Sequence, residues 1–409
     1  MPSRQATRRA SARAAKPSSD EPEVTLSRRG LERLRSGHVW VYRSDLRAPS
    51  VLQGGEVVRL VDDRGWFAGK AFYGKQSQIS VRLLTREEEP IDEAFFARRL
   101  AQARALREAA APDPELRRAA RVVHGEADLL PGLVVDRYGD CFVVQTLIEA
   151  TDARRELFAD LLQQLWKPRA IVERNDVKVR AHEGLPLRRG LLRGAEPGPV
   201  EFLEGEVRLL ADLLEGQKTG AFLDQAENRI EAGRYARGRA LDCFTYGGAF
   251  ALQLSRRATS VTAVDISERA AEEGRRAAAR NDAANVTFQV ANAFDLLRDQ
   301  ADEGQVYDTI VLDPPAFAKN KASLAAALRG YKEINLRAFH LLSPGGVLVT
   351  ASCSFHIDEA AFERTVLGAA ADAGRSVQVI ERRGAARDHP TLLGVPETRY
   401  LKCLILRAL

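Results

Sequence analysis

The sequence predicts an α/β protein whose C-terminal half is a doubly wound, mostly parallel sheet, preceded by a small β-rich domain and an α+β middle domain. Three observations carry this. The chain has 409 residues, more than one compact core of ordinary size accommodates. Residues 198–409 alternate apolar, strand-like runs with helical stretches, the pattern of parallel strands joined by crossover helices. Residues 23–88 carry short apolar runs broken by turn residues instead.

Residues 1–22 are Arg, Ala, Ser and Pro with no core formers, and read as a disordered basic tail. An Arg/Ser-rich, acid-poor start is also the composition of a transit peptide, but it has no apolar stretch of the kind a secretory signal needs. The tail explains the net charge of +5: without Arg4, Arg8, Arg9, Arg13 and Lys16, basic and acidic residues balance one for one. Such an arm either attracts phosphate backbones or merely solubilises the chain end. No apolar run reaches the roughly 18 residues of a membrane span. Cys141, Cys243, Cys353 and Cys403 lie far apart, without a CxxC pair, which argues against structural zinc and a disulfide framework and fits a reducing cytoplasm.

In the 23–88 domain the predicted strands are 39–42, 56–61, 66–73 and 79–84, separated by Gly54-Gly55, Asp62-Asp63-Arg64-Gly65 and Gly74. Trp40, Tyr42, Trp66, Phe67, Phe72 and Tyr73 are interleaved with Arg28, Arg29, Arg33, Arg35, Lys70, Lys75 and Arg82. That mixture suits RNA contact by stacking and phosphate pairing, or a small barrel core with ordinary surface charge. The 89–197 domain opens with a helix from Ile91 to about Ala110, ended by Pro112 and Pro114. Two strands then meet at a tight turn, Tyr138-Gly139-Asp140, followed by a helix over 153–166 and a strand over 170–173.

In 198–409 the predicted strands are 239–243, 260–264, 286–290, 309–312, 347–351 and 401–406. Ligands of such sheets bind beyond the carboxyl ends of the strands, and four successive ends carry polar or glycine residues. The first runs Leu241-Asp242-Cys243-Phe244-Thr245-Tyr246-Gly247-Gly248. It lacks the GxGxxG of dinucleotide sites. Asp242 would repel a pyrophosphate and attract a cation such as an α-amino group, which favours S-adenosylmethionine over NAD. Asp265, ending the second strand about 20 residues past the glycine turn, suits ribose hydroxyls, or else caps the next helix. Asn292 and the backbone after it suit an adenine edge, with Phe294 against its face. The fourth end is Asp313-Pro314-Pro315-Ala316-Phe317. Gly216-Gln217-Lys218-Thr219-Gly220 is not a phosphate loop, because Gln217 stands where glycine must precede the lysine.

Gly216 to Gln225 with Asn228-Arg229, the Asp313–Phe317 motif, Ser352-Cys353-Ser354, the stretch from Glu126 to Gly139, His389-Pro390 and Tyr400-Leu401-Lys402 together resemble bacterial 23S rRNA large-subunit 5-methylcytosine methyltransferases. The resemblance covers nearly the whole chain after the tail. It implies an N-terminal PUA domain, a small middle domain and a class I, Rossmann-like S-adenosylmethionine methyltransferase fold. It also implies 23S ribosomal RNA as partner and a homodimer. By the same resemblance Lys218, Thr219, Phe222, Gln225 and Arg229 surround the cofactor with Asp242, Gly247, Asp265, Asn292 and Asp313, bordered by Phe244, Tyr246, Ile266 and Ala293. Asn292 departs from the family, which often has Asp there.

Carbon 5 of cytosine is too weak a nucleophile to take a methyl group directly; thiolate addition at carbon 6 makes it enamine-like. Cys353, just past a strand end on the ligand side and flanked by serines that permit exposure, is the expected nucleophile. Cys243 reads as a small core residue, and Cys141 and Cys403 as inert. Asp313 is expected to bind the N3/N4 edge. Pro314 and Pro315 shape the substrate side, and Phe317 either stacks on the flipped base or belongs to the core. No metal is expected. The rival readings are an RNA N-methyltransferase, to which Asp-Pro-Pro-Phe is also suited and which needs no cysteine, and a non-enzymatic RNA-binding assembly factor.

Overall fold

The computed structural model describes residues 21–111, 118–318 and 320–409. The basic tail up to position 20 and the helix-ending Pro112 and Pro114 lie outside the described residues.

The N-terminal unit is a six-stranded sheet ordered 40–42, 79–85, 67–73, 57–61, 23–26 and 46–47. Sequence reading missed its strand Glu23–Leu26 and the helix Arg28–Arg35. The helix buries only Gly30 and Leu34, too few apolar positions to show a period, although Ser27 caps it by accepting from the Gly30 amide. The middle unit is a five-stranded sheet ordered 188–194, 170–175, 141–146, 133–138 and 119–124, of which both edge strands were missed. Tyr138 pairs with Cys141 across a two-residue turn, and Gly139 supplies the positive φ of 61° that such a hairpin requires. An antiparallel hairpin, Val200–Glu204 with Val207–Ala211, leads into the C-terminal unit.

That unit holds β1 (Arg239–Cys243), β2 (Ser260–Asp265), β3 (Val286–Val290), β4 (Tyr307–Leu312), β5 (Leu342–Ser352), β6 (Val377–Arg383) and β7 (Lys402–Ala408), in the order β3-β2-β1-β4-β5-β7-β6. Strands β1 to β5 are parallel; β7 runs antiparallel to both β5 and β6. Helices α1 (Ala226–Tyr235), α2 (Ala249–Ser255), α3 (Glu268–Arg280), α4 (Ala293–Asp302), α5 (Leu324–Leu341) and α6 (Glu359–Asp372) cover it. Central parallel strands are apolar throughout because both faces are covered. The period of two divides them: Ala240, Val311 and Val349 pack into one core, Leu241, Ile310, Leu312 and Leu348 into the other. Strand β6 was missed because most of it is exposed at the sheet edge. Among the described residues no helix is long and apolar enough to cross a membrane.

Candidate active site

All four predicted strand ends open on one edge of the sheet, beyond β1, β2, β3 and β4. Asp242 is fully buried. Its Oδ2 accepts from the Thr245 hydroxyl and from the Ala251 amide at 3.0 Å, while its Oδ1 is buried with no partner. Burial, assisted by the nearby charges of Asp313 and Asp265, pushes this carboxyl up to about 7. An enclosed carboxyl oxygen without a donor is satisfied by a proton or by a donor brought to it.

The turn after β1 is strained in a useful direction. Phe244 and Tyr246 hold φ of 64° and 49°, a region side-chain-bearing residues seldom occupy. The turn is fixed by Thr245 N donating to Val264 O at 3.0 Å and Tyr246 N donating to Asp265 Oδ2 at 2.9 Å. A Cβ on Gly247 would meet nothing within 4 Å, so the turn leaves open space there. A cleft of about 420 Å³ adjoins it, walled by Tyr246, Arg269, Arg276 and Arg280.

Asp265 also accepts from Ser267 N at 2.9 Å, but Ser267, not Asp265, is the N-cap of α3, which removes the helix-cap alternative. Ile266 beside it is exposed and Ala293 is buried. Asn292 spends its amide oxygen on capping α4 through the Phe294 amide at 2.9 Å, leaving its NH2 group free of that task. Phe294 packs against Phe244 and Phe317.

Asp313 is half-buried. Burial and the charge of Asp224 push it up to about 6, against a hydrogen bond donated by Gln225 Nε2 at 2.7 Å. Pro314 is buried and Pro315 exposed. Phe317 lies 4.6 Å from the Tyr331 ring in a row of packed aromatics, so the core alternative describes it better than free stacking.

Cys353 follows β5 directly and is the one partly open cysteine; Cys141, Cys243 and Cys403 are buried. The expectation that its serine neighbours permit exposure is corrected: Ser352 and Ser354 are both fully buried. They brace the loop. The Ser354 hydroxyl meets the Tyr331 hydroxyl at 3.0 Å and accepts from Ala318 N at 3.2 Å, while Cys353 between the two serines is half-buried. Burial raises the thiol, the Asp313 carboxylate raises it further, and the Lys218 ammonium lowers it.

The segment before β1 divides in two. Lys218 is partly exposed, holds φ of 53°, donates to Asp224 at 2.9 Å and sits 4.4 Å over the Phe222 ring, which in turn packs edge-on against Tyr246. Gln225 reaches Asp313. Thr219 and Arg229 point elsewhere. The Thr219 hydroxyl donates to Asp136 of the middle unit at 2.6 Å, and Arg229 is locked to buried Glu204 and the Phe222 carbonyl. Sequence reading gave no role to Asp224, Tyr400 or Lys402, although all lie in its quoted motifs. The Tyr400 hydroxyl donates to Asp224 at 2.6 Å.

In the N-terminal unit Trp66 is more than half exposed, whereas Phe72 is core and Trp40 donates to Glu126. Lys70 and Arg82 are buried in pairs with Glu21 and Glu183, so they do not offer free charge to a phosphate. Among the described residues no group of three His, Cys, Asp or Glu side chains could hold a metal ion.

Two family models match the chain, a PUA-like domain over residues 24–86 and a methyltransferase domain over 236–380. A methyltransferase structure complexed with SAH superposes with a TM-score of 0.81 at 21% identity, covering 94% of this chain and all of that one. A SAM-dependent methyltransferase from Streptococcus mutans superposes at 0.79 and 20%, with the same coverage. At such identity they speak for the fold alone. Taken with the two family models and the strand order, the fold and site define a class I S-adenosylmethionine-dependent methyltransferase carrying a PUA-like domain. The ribosomal RNA large subunit methyltransferase I of Tolumonas auensis is 42% identical over 380 residues, 91% of this chain and 96% of that one. Its namesake in Shewanella amazonensis is 43% identical over 380 residues, 90% and 95% of the two chains. The chain belongs to the ribosomal RNA large subunit methyltransferase I family.

Proposed function

We propose that this protein methylates carbon 5 of a cytosine in large-subunit ribosomal RNA, in the cytoplasm, with Cys353 as covalent nucleophile. The observation that carries the reading is the placement of Cys353: the one partly open cysteine, on a loop braced by two buried serines, within the electrostatic reach of Asp313. The RNA substrate is supported by the names of the relatives and by Arg276 and Arg280 along the cleft beside Tyr246, where Arg269 is paired with Glu273. Four free cysteines agree with a reducing compartment.

Within this reading Asp242 would hold the amino group of the cofactor, Asp265 would hold its ribose, and the strained turn with Gly247 would let its chain approach the backbone. S-adenosylmethionine, when bound, supplies the electrophilic methyl group. The Cys353 thiolate adds to carbon 6 of a flipped cytosine, and the carbon 5–carbon 6 π pair moves to carbon 5. Asp313, poised near 6, hydrogen-bonds the N3/N4 edge as charge develops there. After transfer the carbon 5 proton passes to water, its C–H pair re-forms the 5,6 double bond and the C–S pair leaves with Sγ as thiolate.

The test is incubation with S-adenosylmethionine and ribosomal RNA containing 5-fluorocytidine, which after methyl transfer has no proton to lose at carbon 5. Wild type should form a denaturant-stable protein–RNA adduct that is absent from Cys353→Ala. Undiminished methylation by Cys353→Ala would mark an N-methyltransferase instead.

A further inference from the structure

Lys402 is the first residue of β7, and its Cα stands opposite Ser352 in the antiparallel pairing with β5, one residue from Cys353. It is 4% exposed. Its Nζ donates to the Ser354 carbonyl at 2.7 Å and to the Tyr400 carbonyl at 2.7 Å. Two of its three donors are thus committed to carbonyls, and among the described residues no carboxylate forms an ion pair with it. A buried ammonium without an acid is expensive to keep, and proteins retain one where its charge has a task.

We infer that Lys402 is a positioning residue for Cys353: it pins the 352–354 loop through the Ser354 carbonyl and places a positive charge that favours the thiolate. This deepens the proposed chemistry and rests on Cys353 being its nucleophile. The electrostatic environment agrees. Burial pulls the Lys402 ammonium down to about 8, and the largest influence holding it up is a charge on Cys353, ahead of Glu359 and Asp358 on α6. At neutral pH the amine therefore stays mostly protonated. The thiol faces Asp313 and Asp224, which oppose its ionisation, and Lys218, which favours it; the Tyr331 hydroxyl approaches from α5. Lys218 is exposed and already paired with Asp224, so its help is weakened by solvent and by its partner. Lys402 is shielded from both.

The experiment measures the rate of iodoacetamide alkylation of Cys353 against pH in wild type, Lys402→Met and Lys402→Arg, the other three cysteines being buried. Loss of a nearby cation shifts a thiol by about 1–3 pH units. Lys402→Met should therefore alkylate about tenfold or more slowly at pH 8 and regain wild-type rates at higher pH, with S-adenosylmethionine affinity unchanged. Lys402→Arg keeps the charge and should stay near the wild-type profile, which also covers the case in which the Met variant does not fold. Superimposable wild-type and Met profiles, or an Arg profile displaced as far as that of Met, would overturn the assignment. Alkylation reports the thiol whether or not it attacks RNA. Methylation surviving in Cys353→Ala would accordingly sink the nucleophile reading while leaving the Lys402 measurement to be judged by itself.

Discussion

Gln225 Nε2 donates to Asp313 Oδ1 at 2.7 Å, tying the loop before the first strand of the methyltransferase sheet to the motif that ends the fourth. The bond stabilises the ionised carboxylate, against burial and the charge of Asp224. In Gln225→Leu the donor is lost and the Asp313 carboxyl should rise above 6. If Asp313 must be ionised for turnover, the acid limb of the single-turnover pH profile should move up by about one unit. An unmoved acid limb would remove Asp313 from the reaction.

Asp242 yields a prediction of opposite character. Its carboxyl is raised to about 7 in the fold from an ordinary value near 4, so the folded state binds a proton that the unfolded chain does not. Linkage then makes this group's contribution fall as pH rises from about 4 to 7, by at most about 4 kcal/mol in total. Asp242→Asn keeps an oxygen for Thr245 and Ala251 and places an uncharged NH2 at the orphaned position. Without cofactor the variant should melt higher than wild type at pH 8, and saturating S-adenosylmethionine should raise its Tm far less. A wild-type cofactor-induced shift in the variant would contradict the cation role.

The places of these acids at strand ends were legible because short apolar runs stop at them: Leu241 before Asp242, Val264 before Asp265, Leu312 before Asp313. Direction was not legible in loops. Thr219 and Phe222 lie three residues apart in one motif, yet one faces the middle unit and the other packs on Tyr246, because contacts distant in sequence, Asp136 and Tyr246, decide it. Ser352 and Ser354 misled because a serine can be buried once its hydroxyl is paired, and Tyr331 lies 23 residues from Ser354. Lys402 escaped because a lysine at the start of a strand reads as surface, whereas here it is 4% exposed and bonded to the Ser354 and Tyr400 carbonyls.

The middle unit reaches the cofactor segment through buried charge. Asp136 accepts from Arg121 at 2.8 Å and from the Thr219 hydroxyl at 2.6 Å, and Tyr138 OH accepts from Ala221 N at 3.0 Å. Thr219→Val removes one charge-assisted bond and should cost about 1–3 kcal/mol, read as a lower denaturation midpoint. Because Lys218 and Phe222 hang on the same segment, the KM for S-adenosylmethionine should rise together with the loss of stability. A stability loss at constant KM would show that the anchor does not reach the pocket.

Arg229 offers the sharpest separation of structure from cofactor binding. Its guanidinium donates to both carboxylate oxygens of Glu204, and both side chains are buried. Arg229→Met leaves Glu204 enclosed without its partner, a change that costs about 3–5 kcal/mol, whereas replacing both members of such a pair by apolar residues is often near neutral. Arg229→Met/Glu204→Leu should therefore recover most of the stability lost in the single variant. If Arg229 only supports Phe222 from behind, through its bond to the Phe222 carbonyl, the double variant should also recover cofactor affinity to within a few-fold of wild type. If Arg229 touches the cofactor, stability will return and affinity will not, and isothermal titration of the two variants distinguishes the cases.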